Sequence, residues 1–210
     1  MSESSDKKIV ITIGRELGSG GREIGKLVAE KLGVPFYDKE LLSITAKESG
    51  LCEEFIEQHE EAPTKSFLYS LVMGVSNYNN GIYNSVPFEQ KVFLAQFDAI
   101  KKVAAASGCV IVGRCADYAL EEMENVFSVF IHAPKDYRIK KVSKNNNVSI
   151  NEATDIVNKT DKKRSSYYNY YTNKKWGASS SYNLSIDGSM LSKDKIAEII
   201  VDVAKKYVNK

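Results

Sequence analysis

The sequence predicts an α/β layer fold built on a parallel sheet. Short β-rich runs lie at residues 8–13, 109–112, 126–132 and 182–187, and the continuous apolar character of IVITI, CVIV and VFSVFI suits strands covered on both faces. Amphipathic helical patterns lie between them, as right-handed crossovers require. The first strand also runs straight into glycines and then a helix, KIVITIGRELGSGGREIG over residues 8–25. This junction orients everything that follows.

Taken in order, the first helix begins near Arg22 and carries Ile24, Leu27, Val28 and Leu32 on one face until Gly33 and Pro35 end it. VPFY at 34–37 reads as a second strand before Asp38, and KELLSITAKES as a helix. Residues 73–86 mix asparagine, glycine and tyrosine without period and read as a loop. Residues 87–106 place Phe88, Val92, Phe93, Ala99 and Val103 at helical spacing. Ser149 with Glu152 three later is a capping box, which predicts a helix from Ile150 to about Arg164. The last helix is expected to bury Ile196, Ile199, Ile200, Val203 and Tyr207. No repeat or linker divides the chain.

At 210 residues, 43% of them hydrophobic, the chain can bury a sizeable core. Its net charge of +2 lacks the basic excess of a dedicated nucleic-acid binder. Cys52, Cys109 and Cys115 are odd in number and show no CxxC spacing, so they are expected to be reduced thiols rather than disulfides or zinc ligands. The start MSESSDKK has no apolar leader, and no run approaches the ~18 residues of a membrane span. A cytoplasmic location without membrane attachment is the expectation.

Three constellations carry chemistry. In the first, residues 17–23 can turn several amides inward while the following helix aims its positive end at the same point, an arrangement suited to phosphate. The standard GxxxxGK[ST] pattern is incomplete, because Gly21 stands at the lysine and Arg22 at the hydroxyl. Either Arg22 or Arg15 supplies the missing cation, or the loop holds phosphate without transferring it; a ligand-free glycine turn is the plain alternative. In the second, Gly113 turns the chain at the carboxyl end of a strand, so that Arg114 can enter the crevice where open parallel sheets bind ligands. A simple ion pair of Arg114 with Asp117 or Glu121 is the alternative. The third is DKKRSSYYNYYTNKKW at 161–176, which can close over anions, present a basic face to solvent, or stack single-stranded bases. The balanced charge weighs against the last. His59 and His132 read as structural or solvated residues, and Trp176 as a lid or hinge anchor.

The order of motifs, GSGG, YDKELL, VIVGR.ADY, DKKR..YY..YT.KKW and YNLSID, resembles the cytidylate kinase-like family of P-loop nucleoside monophosphate kinases. The resemblance implies a three-layer P-loop kinase fold with a core (residues 8–36, 107–150 and 180–210), a helical monophosphate-binding insertion (about 37–106) and a lid (about 151–179). It implies donor-phosphate contacts from Arg15, Gly18, Ser19, Gly20, Gly21, Arg22 and Glu23. Acceptor contacts would come from Asp38, Arg114, Asp117, Asp161 and Arg164, with Arg22, Arg114 and Arg164 catalytic and no protein metal ligand assigned. ATP with Mg2+ would be the donor, CMP or dCMP the acceptor, and small-molecule nucleotides the partners rather than nucleic acid or membrane; a homodimer stays open. True cytidylate kinases keep the loop lysine and its hydroxyl, an aspartate after the GR arginine, and a further lid arginine. Here Gly21, Arg22, Cys115 and Val157 occupy those places, and Asp117 would take over base reading. A nucleotide sensor that has lost transfer and a kinase for another small acceptor are the alternative readings.

Overall fold

The computed structural model describes residues 8–38, 41, 43–44 and 88–209. The KELLSITAKES helix, the 73–86 loop, Cys52 and His59, with most of the expected insertion, lie outside the described residues. Five strands form one parallel sheet: β1 (Val10–Arg15), β2 (Phe36–Tyr37), β3 (Cys109–Val112), β4 (Val126–His132) and β5 (Leu184–Asp187). Their order is β2-β3-β1-β4-β5. In register, Val10 lies beside Cys109 on one side and Val126 on the other, so β1 is the central strand. Its carboxyl end therefore opens where the strand order reverses, the place open α/β sheets bind ligands.

Alternation along β1 builds the layers. Ile11 and Ile13 face α1 (Gly21–Leu32) and a C-terminal helix at Lys193–Val208, whereas Val10 faces α2 (Phe88–Ala106) and the short α3 (Ala116–Ala119). Helix α4 (Lys135–Asn146) then leads into α5 (Ile150–Thr172), the two joined through Ile139, Val142, Ala153 and Val157. A 3-10 turn at Ser179–Ser181 precedes β5, and α6 (Lys193–Val208) closes the chain.

Three features depart from the sequence reading. Helix α4 is not legible in KDYRIKKVSKNN because it buries only Arg138, Ile139 and Val142, too narrow a stripe to stand out. Helix α5 starts at the expected capping box, with Ser149 Oγ accepting from the Glu152 amide and the Glu152 carboxylate accepting from Ser149 N. It then runs past Arg164 to Thr172, because the buried row of Val157 resumes at Tyr167, Tyr168 and Thr172. Most of the segment expected as a lid is thus helix, its tyrosines clustered with Phe93, Phe130 and Tyr182. On α6 the buried row is Ile196, Ile200, Ala204 and Val208, with Ala197 and Val201 beside it. Val203 and Tyr207 are 38% and 37% exposed, since the small alanines let the helix turn that edge to the sheet. Tyr207 still covers the Phe127 ring at 5.2 Å.

This rotation has a measurable consequence. Ile200→Ala is expected to lower unfolding free energy by about 2–5 kcal/mol, as cavity-forming core substitutions do. Val203→Ala is expected to stay within about 0.5 kcal/mol, as exposed positions do. Urea unfolding of the two variants checks the assignment.

Candidate functional site

The site starts where β1 runs out. Gly18 and Gly20 take left-handed backbone (φ +81 and +93), which lets the chain reverse into α1 within five residues. Gly20 caps α1 with no side-chain hydrogen bond, so the amides of Gly21 and Arg22 have neither intrahelical acceptor nor side-chain cap, while the Glu23 amide is engaged by its own carboxylate. The nest is narrower than residues 17–23. The Leu17 amide donates to Asp161 Oδ1 (2.8 Å), and Ser19 donates from both its amide and its hydroxyl to the Glu16 carbonyl (3.3 and 2.9 Å). The Ser19 side chain is wholly buried inside the turn rather than offered to a ligand.

Arg138, which the sequence reading missed, holds this turn from below. Its guanidinium donates to the Ala133 carbonyl (3.0 Å), the Leu17 carbonyl (3.1 Å) and Asp161 Oδ2 (2.6 Å), and pairs with Glu16 at 3.1 Å. Glu16 in turn accepts from the Ala133 amide. Asp161 therefore has both oxygens bonded to the loop and its support. It lies against the glycine turn, bonded to Leu17 and Arg138, where α5 crosses the loop. A Cβ on Gly18 would lie 2.8 Å from the Arg138 carbonyl, so only glycine lets the turn rest on α4.

At the mouth, Asp38 follows β2 and joins two expected cations. Its Oδ2 accepts from Arg22 Nε at 2.5 Å, and its Oδ1 lies 3.6 Å from Arg114 Nη1. Arg114 also donates to the Val112 carbonyl at 3.3 Å. Gly113, Arg114 and Cys115 are consecutive left-handed residues (φ +77, +55 and +54), a costly conformation for the two with side chains. That turn directs Arg114 inward, where its side chain is 1% exposed. It pairs with Asp38, not with Asp117 or Glu121; Glu121 is held instead by Lys174 at 3.2 Å. Arg164, from α5, donates to the Arg15 carbonyl at 3.4 Å.

These elements enclose a cleft of about 730 Å³ above the glycine turn. Arg15, Arg22, Lys141, Lys163 and Arg164 line it against Glu16, Glu23 and Asp38, an excess of two positive charges. Beside it, Arg114, Arg164, Asp117 and Tyr168 border a second, nearly closed cavity of about 20 Å³, room for little more than one water. Tyr168 donates its hydroxyl to Asp117 Oδ2 at 2.6 Å. Burial raises the Asp117 carboxyl above its ordinary value, against the lowering pull of Tyr168 and Lys174. Burial and the neighbouring Asp117 likewise raise the Tyr168 hydroxyl.

The model of the cytidylate kinase-like family matches residues 10–190. The chain belongs to that family. It carries the family's kinase-like nucleotide-binding fold, and solved structures agree. An uncharacterized protein from Eubacterium ventriosum is 30% identical, with a TM-score of 0.69 over 94% of this chain and 98% of the other. Shikimate kinase from Bacteroides thetaiotaomicron shares the fold at 16% identity (TM-score 0.54, 96% and 99% covered). A gluconokinase from Sinorhizobium meliloti shares it at 14% (TM-score 0.51, 96% and 92% covered). No curated protein matches the chain.

Within this family member, the residues expected from the sequence fall into three places. Arg15, Gly18, Gly20, Gly21, Arg22, Glu23, Asp38 and Arg164 line the main cleft; Arg114 and Asp117 line the small cavity behind it; Ser19 and Asp161 are structural supports of the turn. The reading missed Glu16, Arg138, Lys141 and Lys193. Only the DYR of residues 136–138 gave a signal for any of them, and a lone arginine in a polar run carries little information. His132 ends β4, and its charge helps lower the Asp187 carboxyl, after Ser189. Trp176 packs edge-on against Phe130 at 5.2 Å, an anchor between α5 and the sheet. Among the described residues no helix is long and apolar enough to cross a membrane.

Removing Asp161 leaves Arg138 with Glu16 as its remaining carboxylate and the Leu17 amide without its acceptor, so Asp161→Ala is expected to cost about 1–3 kcal/mol by urea unfolding. Asp117 gives a pH signature. The folded carboxyl binds its proton more tightly than the unfolded one, so wild-type stability falls as pH rises from 3.8 through the raised value. Asp117→Asn lacks this loss. In thermal melts its Tm relative to wild type is expected to climb over that window and then level off.

Proposed function

We propose that the chain is a phosphotransferase that moves the γ-phosphoryl group of ATP to a nucleoside monophosphate, CMP or dCMP. The observation that carries this reading is the Arg22–Asp38–Arg114 bridge. It draws the end of the glycine turn and the GR turn of β3 onto one carboxylate, so that a donor on the first and an acceptor on the second would lie in adjoining cavities that share Arg15 and Arg164.

The cradle suits a polyphosphate: two left-handed glycines, the uncapped helix amides of Gly21 and Arg22, and a surplus of cations. When bound, ATP with Mg2+ supplies the phosphoryl group, and the acceptor phosphate oxygen forms the new P–O bond as the β–γ bridge breaks toward ADP. The amides of Gly21 and Arg22 would take donor phosphate oxygens. Arg114 would hold the acceptor phosphate, a task its planar fork performs better than a lysine. Arg22 and Arg164 would neutralise charge around the transferring group. The acceptor oxygen is already anionic, so the chain need move no proton, and its work is positioning and charge. Asp117, held by Tyr168 at the inner end, would read the base. Glu16, Glu23 and Asp38 are the carboxylates of the main cleft, and no three His, Cys, Asp or Glu side chains among the described residues converge as metal ligands. Magnesium would accordingly be held largely by phosphate oxygens and water, its usual manner at such sites.

The test is incubation with ATP, Mg2+ and each monophosphate in turn, with the diphosphate read by 31P NMR. CDP or dCDP formation is the expected result. Binding of ATP without any diphosphate would favour the sensor, and ATP consumption with none of the nucleotides would favour another acceptor. Arg114→Lys is expected to weaken CMP binding by about 10- to 100-fold in calorimetry, the value of charge-assisted hydrogen bonds, while ATP affinity stays near wild type. Equal losses for both ligands would overturn the division of the cleft.

A further inference from the structure

The turn lacks a lysine, and its geometry forbids one. A Cβ at Gly21 would lie 2.6 Å from Arg15 Cβ, so the Arg15 stem fills the space that a loop side chain needs. Neither arginine weighed from the sequence obviously replaces that cation. Arg22 is drawn sideways to Asp38 by a 2.5 Å bond, and Arg15 packs its stem over Gly21.

Another cation is already there. Lys141, from the second turn of α4, places its ammonium over the glycine turn: a methyl group on Gly20 would sit 3.3 Å from Lys141 Nζ and 3.7 Å from Lys193 Cε. The Nζ atom is closed off from solvent, and no acceptor among the described residues completes a hydrogen bond to it. Glu23 Oε1 stands 3.5 Å away, long for such a bond, and that same oxygen is taken at 3.2 Å by Lys193. Two ammonium groups thus share one carboxylate. Burial, with Lys193 nearby, pushes the Lys141 amine below its ordinary value, while the two lysines outweigh burial at Glu23 and hold its carboxyl low. An ammonium closed off at its Nζ, sharing one carboxylate with a second lysine beside the uncapped amides of Gly21 and Arg22, is a site prepared for an anion.

We infer that Lys141 is the cation of the phosphate loop, delivered from α4 instead of from the loop's own helix, and that it binds the terminal phosphates of the donor while Lys193 draws Glu23 aside. The inference rests on the donor reading above. Fold membership does not imply it, because the residue comes from another element than the motif specifies.

Calorimetry with ATP, inorganic tripolyphosphate and CMP on wild type, Lys141→Met, Lys141→Arg and Lys193→Met tests it. Lys141→Met is expected to bind ATP and tripolyphosphate about 10- to 100-fold more weakly and CMP as wild type does. Lys141→Arg is expected to recover most of the loss. Lys193→Met, which removes an equal charge from a more exposed position, is expected to lose less. Lys141→Met is also expected to melt no lower than wild type, since it relieves a buried charge; should it fail to fold, Lys141→Gln takes its place. Unchanged tripolyphosphate affinity in the variant would overturn the inference and leave the donor reading standing, whereas wild type that binds neither ATP nor tripolyphosphate would remove the donor reading itself. Equal losses in Lys141→Met and Lys193→Met would reduce the effect to general charge and also overturn it.

Discussion

The buried pair of Arg138 and Asp161 is the constraint on which the site depends. One guanidinium joins the end of β4 through Ala133, the glycine turn through Leu17, and α5 through Asp161. Without it, the turn between β1 and α1 would have to hold its own shape, which two glycines at positive φ do poorly because the unfolded chain gains so much freedom from them. A paired charge in a dry setting contributes little net stability relative to a hydrophobic isostere, but it is demanding about geometry. Here that geometry fixes the glycine turn against two helices that arrive more than a hundred residues later in the chain.

The sheet supplies the second level of order. Because β1 is central, the turns after β1 and β3 emerge side by side, and Asp38 after β2 is one strand farther out. Parallel register alone therefore brings residues 22, 38 and 114 together, with no long-range loop needed. Helix α5 closes the arrangement from the far side. Its amino-terminal half supports the turn through Asp161, its middle brings Arg164 over β1, and its tyrosines seal the floor against Phe93 and Phe130. Phe93 stacks on Tyr171 at 4.0 Å, so α2 and α5 are coupled directly.

Much of this was legible because it is written in local pattern. The strands at 109–112 and 126–132 match to the residue, since unbroken β-branched runs have few other fates. The capping box set the start of α5, and the glycine turn announced itself. Lost to the sequence was whatever depends on pairing at a distance. The DKKR context of Asp161 tells nothing of the bonds it makes to Leu17 and Arg138. Lys141 is one of several lysines on a polar helix, and nothing local tells that its ammonium, unlike that of Lys140, sits over Gly20. The α6 stripe was displaced because alanines carry little weight in a hydrophobic pattern, yet Ala197 and Ala204 are wholly buried in the core beneath the helix.

The crowding of Arg15 over Gly21 also constrains the engineering of this molecule. Changing position 21 to lysine on its own meets a steric wall, and trimming position 15 on its own withdraws a guanidinium from the pocket rim while restoring nothing. The two positions are locked into each other sterically, so installing a lysine at position 21 requires position 15 to change with it.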